Sequence, residues 1–357
     1  MIKVFKMREL IKYFILIIIA LLVLCFLAKE IDVNKMIKNE IIISGCKKES
    51  NEEVNLKKIE LALIKKEIPI MKDDIKLDLE ESLGENNERE SKYEDGDNKK
   101  EEVEHPQENV KTEIIKTNVN PKSTNEYRGV KINNSTSYNL EEEMMNPDNL
   151  VINKEKILIY HTHTSESYTQ TEKFYYEPSG DFRCLDLNYT VARVGEELQK
   201  QLNSYGYNAI QDKTCHDYPA YNGSYSRSLK TVERMKRENE EADIAIDLHR
   251  DAIADSTYAP KVKIGDEYVS QLMFVIGSNA VNKEHKNWED NLKFAIKVQQ
   301  KANELYPGLF KPIIVRNSEY NQHVSKAACI IEVGATGNTL EESIGAMKYL
   351  AKVINEI

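Results

Sequence analysis

Two imidazoles and a carboxylate fall within six residues in His161-Thr-His163-Thr-Ser-Glu166, directly after the β-favouring run Ile157–Tyr160. A second cluster, Asp247-Leu-His249-Arg250-Asp251, closes another short apolar run, and Glu332 sits near the end of a third, Ala327–Val333. In an open α/β sheet, ligands bind beyond the carboxyl ends of the strands, so three such ends would deliver these side chains to one edge. Two histidines and one carboxylate with an open fourth position form the donor set of a catalytic zinc. Hydrolysis at such a site also needs a free carboxylate, which takes a proton from the attacking water and hands it to the leaving amine. The expected zinc ligands are therefore His163, Glu166 and His249, with Glu332 as the base.

His161 is the alternative ligand, because strand alternation puts 161 and 163 on the same side. Asp186 is the alternative to Glu166 as the carboxylate. Arg250 is the candidate to stabilise a developing oxyanion, and Asp251 the acceptor that would orient His249. A lone histidine at a strand end is usually a satisfied residue of no special role. Three histidines and two glutamates at three strand ends are much harder to explain that way.

Further out, Arg316 in Ile-Val-Arg-Asn-Ser ends another strand-like run and could hold a substrate carboxylate bidentately. His216 and His323 lie on loops that could border the same cleft, whereas His105 and His285 read as solvated. Tyrosine is dense between 160 and 225. Tyr168, Tyr175, Tyr176, Tyr218, Tyr221 and Tyr225 offer apolar rings with polar tips, suited to sugar or peptide.

The elements that must position these groups are legible from periodicity. Strands are expected at Ile157–Tyr160, Tyr207–Gln211, Asp243–His249, Gln271–Gly277, Pro312–Val315 and Ala327–Val333. Helices are expected at Asn188–Ser204, Ser226–Glu240, Asn287–Leu305 and Leu340–Ile354, the last with Thr339 and Glu342 as a capping box. Short apolar strands spaced by helical runs indicate an α/β domain with a mostly parallel sheet flanked by helices.

The rest of the chain reads as a means of holding that domain outside the cell. Lys3, Lys6, Arg8 and Lys12 precede sixteen uncharged residues, 13–28. That run is slightly short of the ~20 residues of a spanning helix, but Leu10 and Ile11 extend it and Lys12 can snorkel. The basic flank predicts residues 1–12 in the cytoplasm, an uncleaved transmembrane anchor at 13–28 and an exported remainder. Residues 29–70 are poorly defined, and residues 71–126 read as a disordered acidic linker. The low-aromatic stretch that begins there and runs towards Leu150 would reach roughly 50 Å as flexible chain. The domain is expected at 127–357. A net charge of −10 without a basic stripe excludes a nucleic-acid binder. Five cysteines without a CxxC pair form neither a zinc ribbon nor a disulfide framework.

Several blocks of the sequence resemble the stage II sporulation protein P family. They are ILIYHTHTSESY, DKTCHDYPAYNGSYSRSLKTVERM, AIDLHRDAI, VRNSEYNQHVS and CIIEVGATGNTLEESIGA, with GVKINNSTSYNL ahead of the first strand, covering roughly 130–357. The anchor and variable acidic tether also fit that family's layout. The resemblance implies an N-acetylmuramoyl-L-alanine amidase-like fold and a zinc-dependent hydrolase of peptidoglycan. It would cut the amide between N-acetylmuramic acid and L-alanine, and also cross-linked stem peptides. It implies stage II sporulation proteins D and M as partners, and action in the septal intermembrane space during wall thinning and engulfment of the forespore. By the same resemblance the first-block histidine (His161 or His163), His249 and Glu332 carry the site. Two rival readings stay open at this stage: a zinc carboxypeptidase-like wall peptidase using Arg316, and a non-catalytic wall-binding scaffold at the septum.

Overall fold

The computed structural model describes residues 103–107, 110–117, 122–279 and 285–357. The expected anchor at 13–28, the segments 1–12 and 29–70, and the linker up to residue 102 lie outside the described residues. No described helix is long and apolar enough to cross a membrane.

The main sheet has eight strands: β2 (Asn125–Tyr127), β3 (Val130–Asn134), β4 (Lys156–Tyr160), β5 (Asn208–Gln211), β6 (Ile244–Asp251), β9 (Leu272–Gly277), β10 (Ile313–Arg316) and β11 (Ala327–Ala335). Their spatial order is β2-β3-β10-β9-β11-β6-β4-β5. Five of the seven pairings are parallel, but β11 pairs with β9 antiparallel, so the sheet has two oppositely directed halves. That reversal decides what can reach the site. The carboxyl ends of β4, β6 and β11 share one edge, while those of β9 and β10 lie at the other.

Four main helices cover the faces: α1 (Val191–Ser204), α2 (Ser224–Glu238), α3 (Trp288–Leu305) and α4 (Leu340–Asn355). The first, third and fourth bury Val194, Leu198, Leu292, Phe294, Met347 and Leu350 against the side of the sheet that carries Ile157, Ile159, Ile246 and Ile331. The opposite face takes α2, whose Val232 and Met235 meet Leu158, Tyr160, Ala245 and Ala328. Strand alternation thus sends odd residues of β4 to one layer and even residues to the other. The expected capping box starts α4: Thr339 accepts from Glu342 N, and the Glu342 carboxylate accepts from Thr339 N.

Short antiparallel pieces, which the hydrophobic pattern does not announce, complete the fold. The β2–β3 hairpin turns on Arg128 and Gly129, with φ of 47° and 82°, the two positive values a type I′ turn requires. A separate small sheet has the order β1-β7-β8, from β1 (Thr112–Ile114), β7 (Lys261–Ile264) and β8 (Glu267–Ser270). Its first strand corrects the expected linker: residues from Val103 onward belong to the compact unit that ends at Ile357. Backbone pairing with β7 and the packing of Val110 are enough to order this stretch, which its polar composition conceals.

Candidate active site

The strand β4 stops at Tyr160, and residues 161–166 turn back on themselves, Glu166 N donating to His163 O at 3.1 Å. This turn separates the two histidines that simple alternation puts together. His161 continues the strand's inward register towards α1. Its Nδ1 donates to Leu248 O at 2.9 Å, which leaves Nε2 to accept from the Gln211 side-chain amide at 2.9 Å. Both nitrogens are thus used, and the ring lies so close to Gly195 that a Cβ there would come within 2.7 Å of it. Burial pushes its pKa down to about 4.

His163 crosses to the α2 face. Its ring stacks on Tyr221 at 4.5 Å between centroids and stands edge-on to Tyr225 at 5.7 Å and to His249 at 5.2 Å. Its Nδ1 is buried without a partner. Of the two alternatives, only His163 keeps a free nitrogen beside the other candidate ligands.

His249 lies on β6 directly opposite Glu332 on β11, an aligned pair across the parallel ladder. Its Nδ1 faces Glu166 Oε2 at 3.7 Å. Its Nε2 lies 2.8 Å from Asp247 Oδ1, too far off line for a good hydrogen bond. Burial alone would lower the imidazole's pKa, but Asp247, then Glu166 and Glu332, raise it to about 10. Burial raises the Glu332 carboxyl to about 8, against the opposing pull of His249, and its Oε2 has no partner. A buried carboxyl that holds a proton near neutral pH is the state wanted of a group that must both take and give one.

The remaining candidates fall elsewhere. Arg250 is buried beneath the site, where it donates through Nε to Ser167 O (3.1 Å), through Nη1 to Thr336 Oγ1 (2.9 Å) and through Nη2 to Phe182 O (3.2 Å). Its backbone N–H holds Glu166 Oε2 at 3.1 Å. With each of its three guanidinium nitrogens bonded, it is a clamp and not a free oxyanion donor. Asp251 pairs with Lys311 at 3.2 Å, so it does not orient His249. Asp247, two residues earlier on the same face of β6, is the carboxylate that lies against His249. Asp186 is exposed and caps the turn Leu187–Tyr189, leaving Glu166 as the carboxylate at the cluster.

His216 is buried with both nitrogens engaged, to His161 O at 2.7 Å and Thr231 Oγ1 at 2.8 Å, so it supports the turn instead of lining a cleft. Arg316 ends β10 opposite Gly277 of β9, at the edge away from Glu332. His323 stands just before β11 at that same far edge, paired with Glu319 and edge-on to His285 at 6.5 Å. For Arg316 the physical reason is the strand-reversing pair β9–β11, whereas His323 precedes β11 and so stands at that strand's amino end.

Residues 58–355 match the model of the family described as Stage II sporulation protein P (SpoIIP). The chain belongs to this family. The stage II sporulation protein P of Bacillus subtilis (strain 168) is 30% identical over 215 residues, covering 57% of this chain and 51% of that protein. The chain thus spans about half the length of the curated relative it matches. Among solved structures, it is similar to the CwlD amidase from Clostridioides difficile in complex with the GerS lipoprotein. There the identity is 12% and the TM-score 0.34, over 56% of this chain and 94% of that one. It is also similar to the catalytic domain of CwlV, an N-acetylmuramoyl-L-alanine amidase from Bacillus (Paenibacillus) polymyxa var. colistinus. That match has 14% identity and a TM-score of 0.32, over 57% of this chain and 94% of that one.

Three neighbours of the cluster escaped the sequence reading. Asp247 accepts from Thr162 N (2.8 Å) and Thr162 Oγ1 (2.6 Å) and lies against His249. Asp217 accepts from Ser165 N (3.1 Å) and Oγ (2.7 Å), fixing the turn, and is paired with Arg183. Arg183 also lies 3.9 Å from Glu166 and sits over the Tyr221 ring. Tyr225, which the sequence reading offered as a sugar or peptide contact, also stands beside His163. Asp247 had a detectable signal, a carboxylate at i−2 from a strand histidine. Asp217 and Arg183 did not, since they come from loops brought in by the fold.

The donor chemistry fits zinc. His163 Nδ1 is orphaned, and the 3.7 Å between His249 Nδ1 and Glu166 Oε2 is close to the ~3.3 Å that separates two ligands on a tetrahedral zinc. Among the described residues, no three His, Cys, Asp or Glu side chains converge on one metal position.

Proposed function

We propose that this protein is a membrane-anchored zinc hydrolase of peptidoglycan that cleaves the amide between N-acetylmuramic acid and L-alanine, and stem-peptide cross-links as well. In this reading it works in the septal intermembrane space during engulfment, alongside stage II sporulation proteins D and M. The observation that carries it is the meeting of His163, Glu166 and His249 with a buried Glu332 on the adjacent strand. His163, Glu166 and His249 would hold zinc. The ion would supply the Lewis acidity that polarises the scissile carbonyl and acidifies water.

The chain's own groups do the rest. Glu332 takes a proton from the attacking water and returns it to the amide nitrogen as the C–N bond breaks. Asp247 braces His249, and Arg250 braces Glu166 through its backbone N–H. Tyr221, half-exposed and stacked on His163, offers an apolar platform to a sugar or peptide. The carboxypeptidase alternative loses its arginine with Arg316 at the far edge. A scaffold alone would give no reason to bury an unpaired Glu332.

Mass spectrometry of fragments released from purified sacculi tests this reading. Free stem peptides and intact glycan strands are expected, whereas removal of terminal residues alone would refute it. Glu332→Ala should fold and bind zinc while hydrolysis falls by about 100- to 10,000-fold. A variant that digests sacculi at the wild-type rate would remove Glu332 from the mechanism.

A further inference from the structure

Hydrolysis of an amide places negative charge on the carbonyl oxygen, and a preorganised donor at that position is worth a large share of the rate. Arg250 is already a structural clamp, each of its three guanidinium nitrogens bonded, to Ser167, Phe182 and Thr336. We propose that the hydroxyl of Tyr225 donates the hydrogen bond that stabilises this oxygen. The inference rests on the amide-hydrolase reading above.

The placement of Tyr225 supports this role. It lies in the first turn of α2, half-buried, edge-on to His163 at 5.7 Å and tilted against Tyr320 at 5.7 Å. Its hydroxyl makes no hydrogen bond among the described residues. The charged groups that face it are Asp247, Glu332 and Glu166, and a phenol is protonated at neutral pH without any help from them. A protonated, uncommitted hydroxyl on the wall shared by His163 and Glu332 is a donor waiting for an acceptor.

The way Tyr225 is held also needs a reason. Tyr320 and Asn321 both adopt left-handed backbone, with φ of 53° and 58°, which costs energy for residues other than glycine. The loop is nonetheless fastened on both sides. Asn321 Nδ2 donates to Tyr225 O at 2.9 Å and to Ser228 Oγ at 3.0 Å. The Gln322 side chain accepts from Gly277 N at 2.8 Å and donates to Val275 O at 2.9 Å. Strain accepted at two consecutive residues ties β9, this loop and the start of α2 together, and what it fixes in place is the backbone and ring of Tyr225.

In the step itself the phenol transfers no proton. Water adds to the carbonyl carbon, its proton goes to Glu332, and the carbonyl oxygen gains charge against Tyr225 O–H. The carbonyl re-forms as the C–N bond breaks, and Glu332 delivers the proton to the departing nitrogen, giving a carboxylic acid and an amine.

Tyr225→Phe removes only the oxygen. With a soluble muramoyl-peptide substrate, kcat should fall about 100-fold, with KM and zinc content within about twofold of wild type. Affinity for a phosphonate isostere of the scissile amide should fall by a similar factor, because it mimics the tetrahedral state. A melting temperature near that of wild type checks that the ring still packs. An active wild type with an equally active Tyr225→Phe, or an unchanged phosphonate affinity, overturns this inference alone. A wild type that cuts no muramoyl amide overturns the proposed function and this inference with it.

Discussion

His249 sits among three carboxylates, and each has a different task. Asp247 fixes the imidazole from below while its other contacts hold the 161–166 turn through Thr162. Glu166 approaches Nδ1, and Glu332 faces the ring from the neighbouring strand. Burial would raise the Asp247 carboxyl, but His249 and Thr162 hold it below its ordinary value, so it stays ionised as the permanent counter-charge. Groups that orient a ligating histidine typically govern metal affinity by 10- to 100-fold. Asp247→Asn should therefore weaken zinc binding by about that factor, measured by competition with a chromogenic chelator. Asp251→Asn should leave it unchanged, since that carboxylate belongs to Lys311. Equal loss in the two variants would show that net charge, not the contact, governs affinity. The choice between His161 and His163 also belongs to this scale. Strand ends pointed to this block of sequence, but alternation alone carries the pleat past Tyr160, and a tight turn is what sends His163 to the other face.

Strand direction did more than residue identity to decide which candidates meet. The pairs β4–β6 and β6–β11 are parallel and adjacent, so their carboxyl ends bring the cluster to one edge, as the strand-by-strand reading expected. The run ending in Arg316 looks equivalent in sequence, yet β9 enters antiparallel to β11 and carries β10 with it. Direction is set by the path of the connections, which no local pattern encodes, and this is why Arg316 lies apart from the cluster. The end of β11 carries a second device. Its register against β6 shifts between Glu332 and Ala335, around Gly334 at φ of +67°. A Cβ at 334 would lie 2.8 Å from both Asn338 Oδ1 and Ser270 Oγ. Gly334→Ala should destabilise the fold by about 1–3 kcal/mol, through a backbone conformation disfavoured for alanine and the crowding of those groups. Because Glu332 is two residues away, kcat should fall as well, whereas KM changes little. Denaturant unfolding and steady-state kinetics read the two effects separately; a normal kcat in a destabilised variant would mean the bulge does not position Glu332.

At the scale of the molecule, the layer between the sheet and α1, behind the site, holds an imidazole whose burial favours its neutral form. His161 is wholly buried between the sheet and α1, its protonated form excluded because Nε2 is committed as an acceptor. Its pKa is lowered to about 4, against 6.5 in an unfolded chain. A depressed folded pKa contributes stability that is complete above the unfolded value and is lost as pH falls through the folded one. The window is thus pH 6.5 to 4, and the full loss from this residue is roughly 3 kcal/mol. Urea unfolding of zinc-free protein at pH 7 and pH 4.5 should show a fall in stability that His161→Gln reduces by most of that amount. The zinc-free form matters, because acid release of a bound metal would add its own term. If His161→Gln and wild type lost equal stability over this window, the buried imidazole would not be what acid attacks, and the neutral scaffold behind the site would have to be sought in other residues.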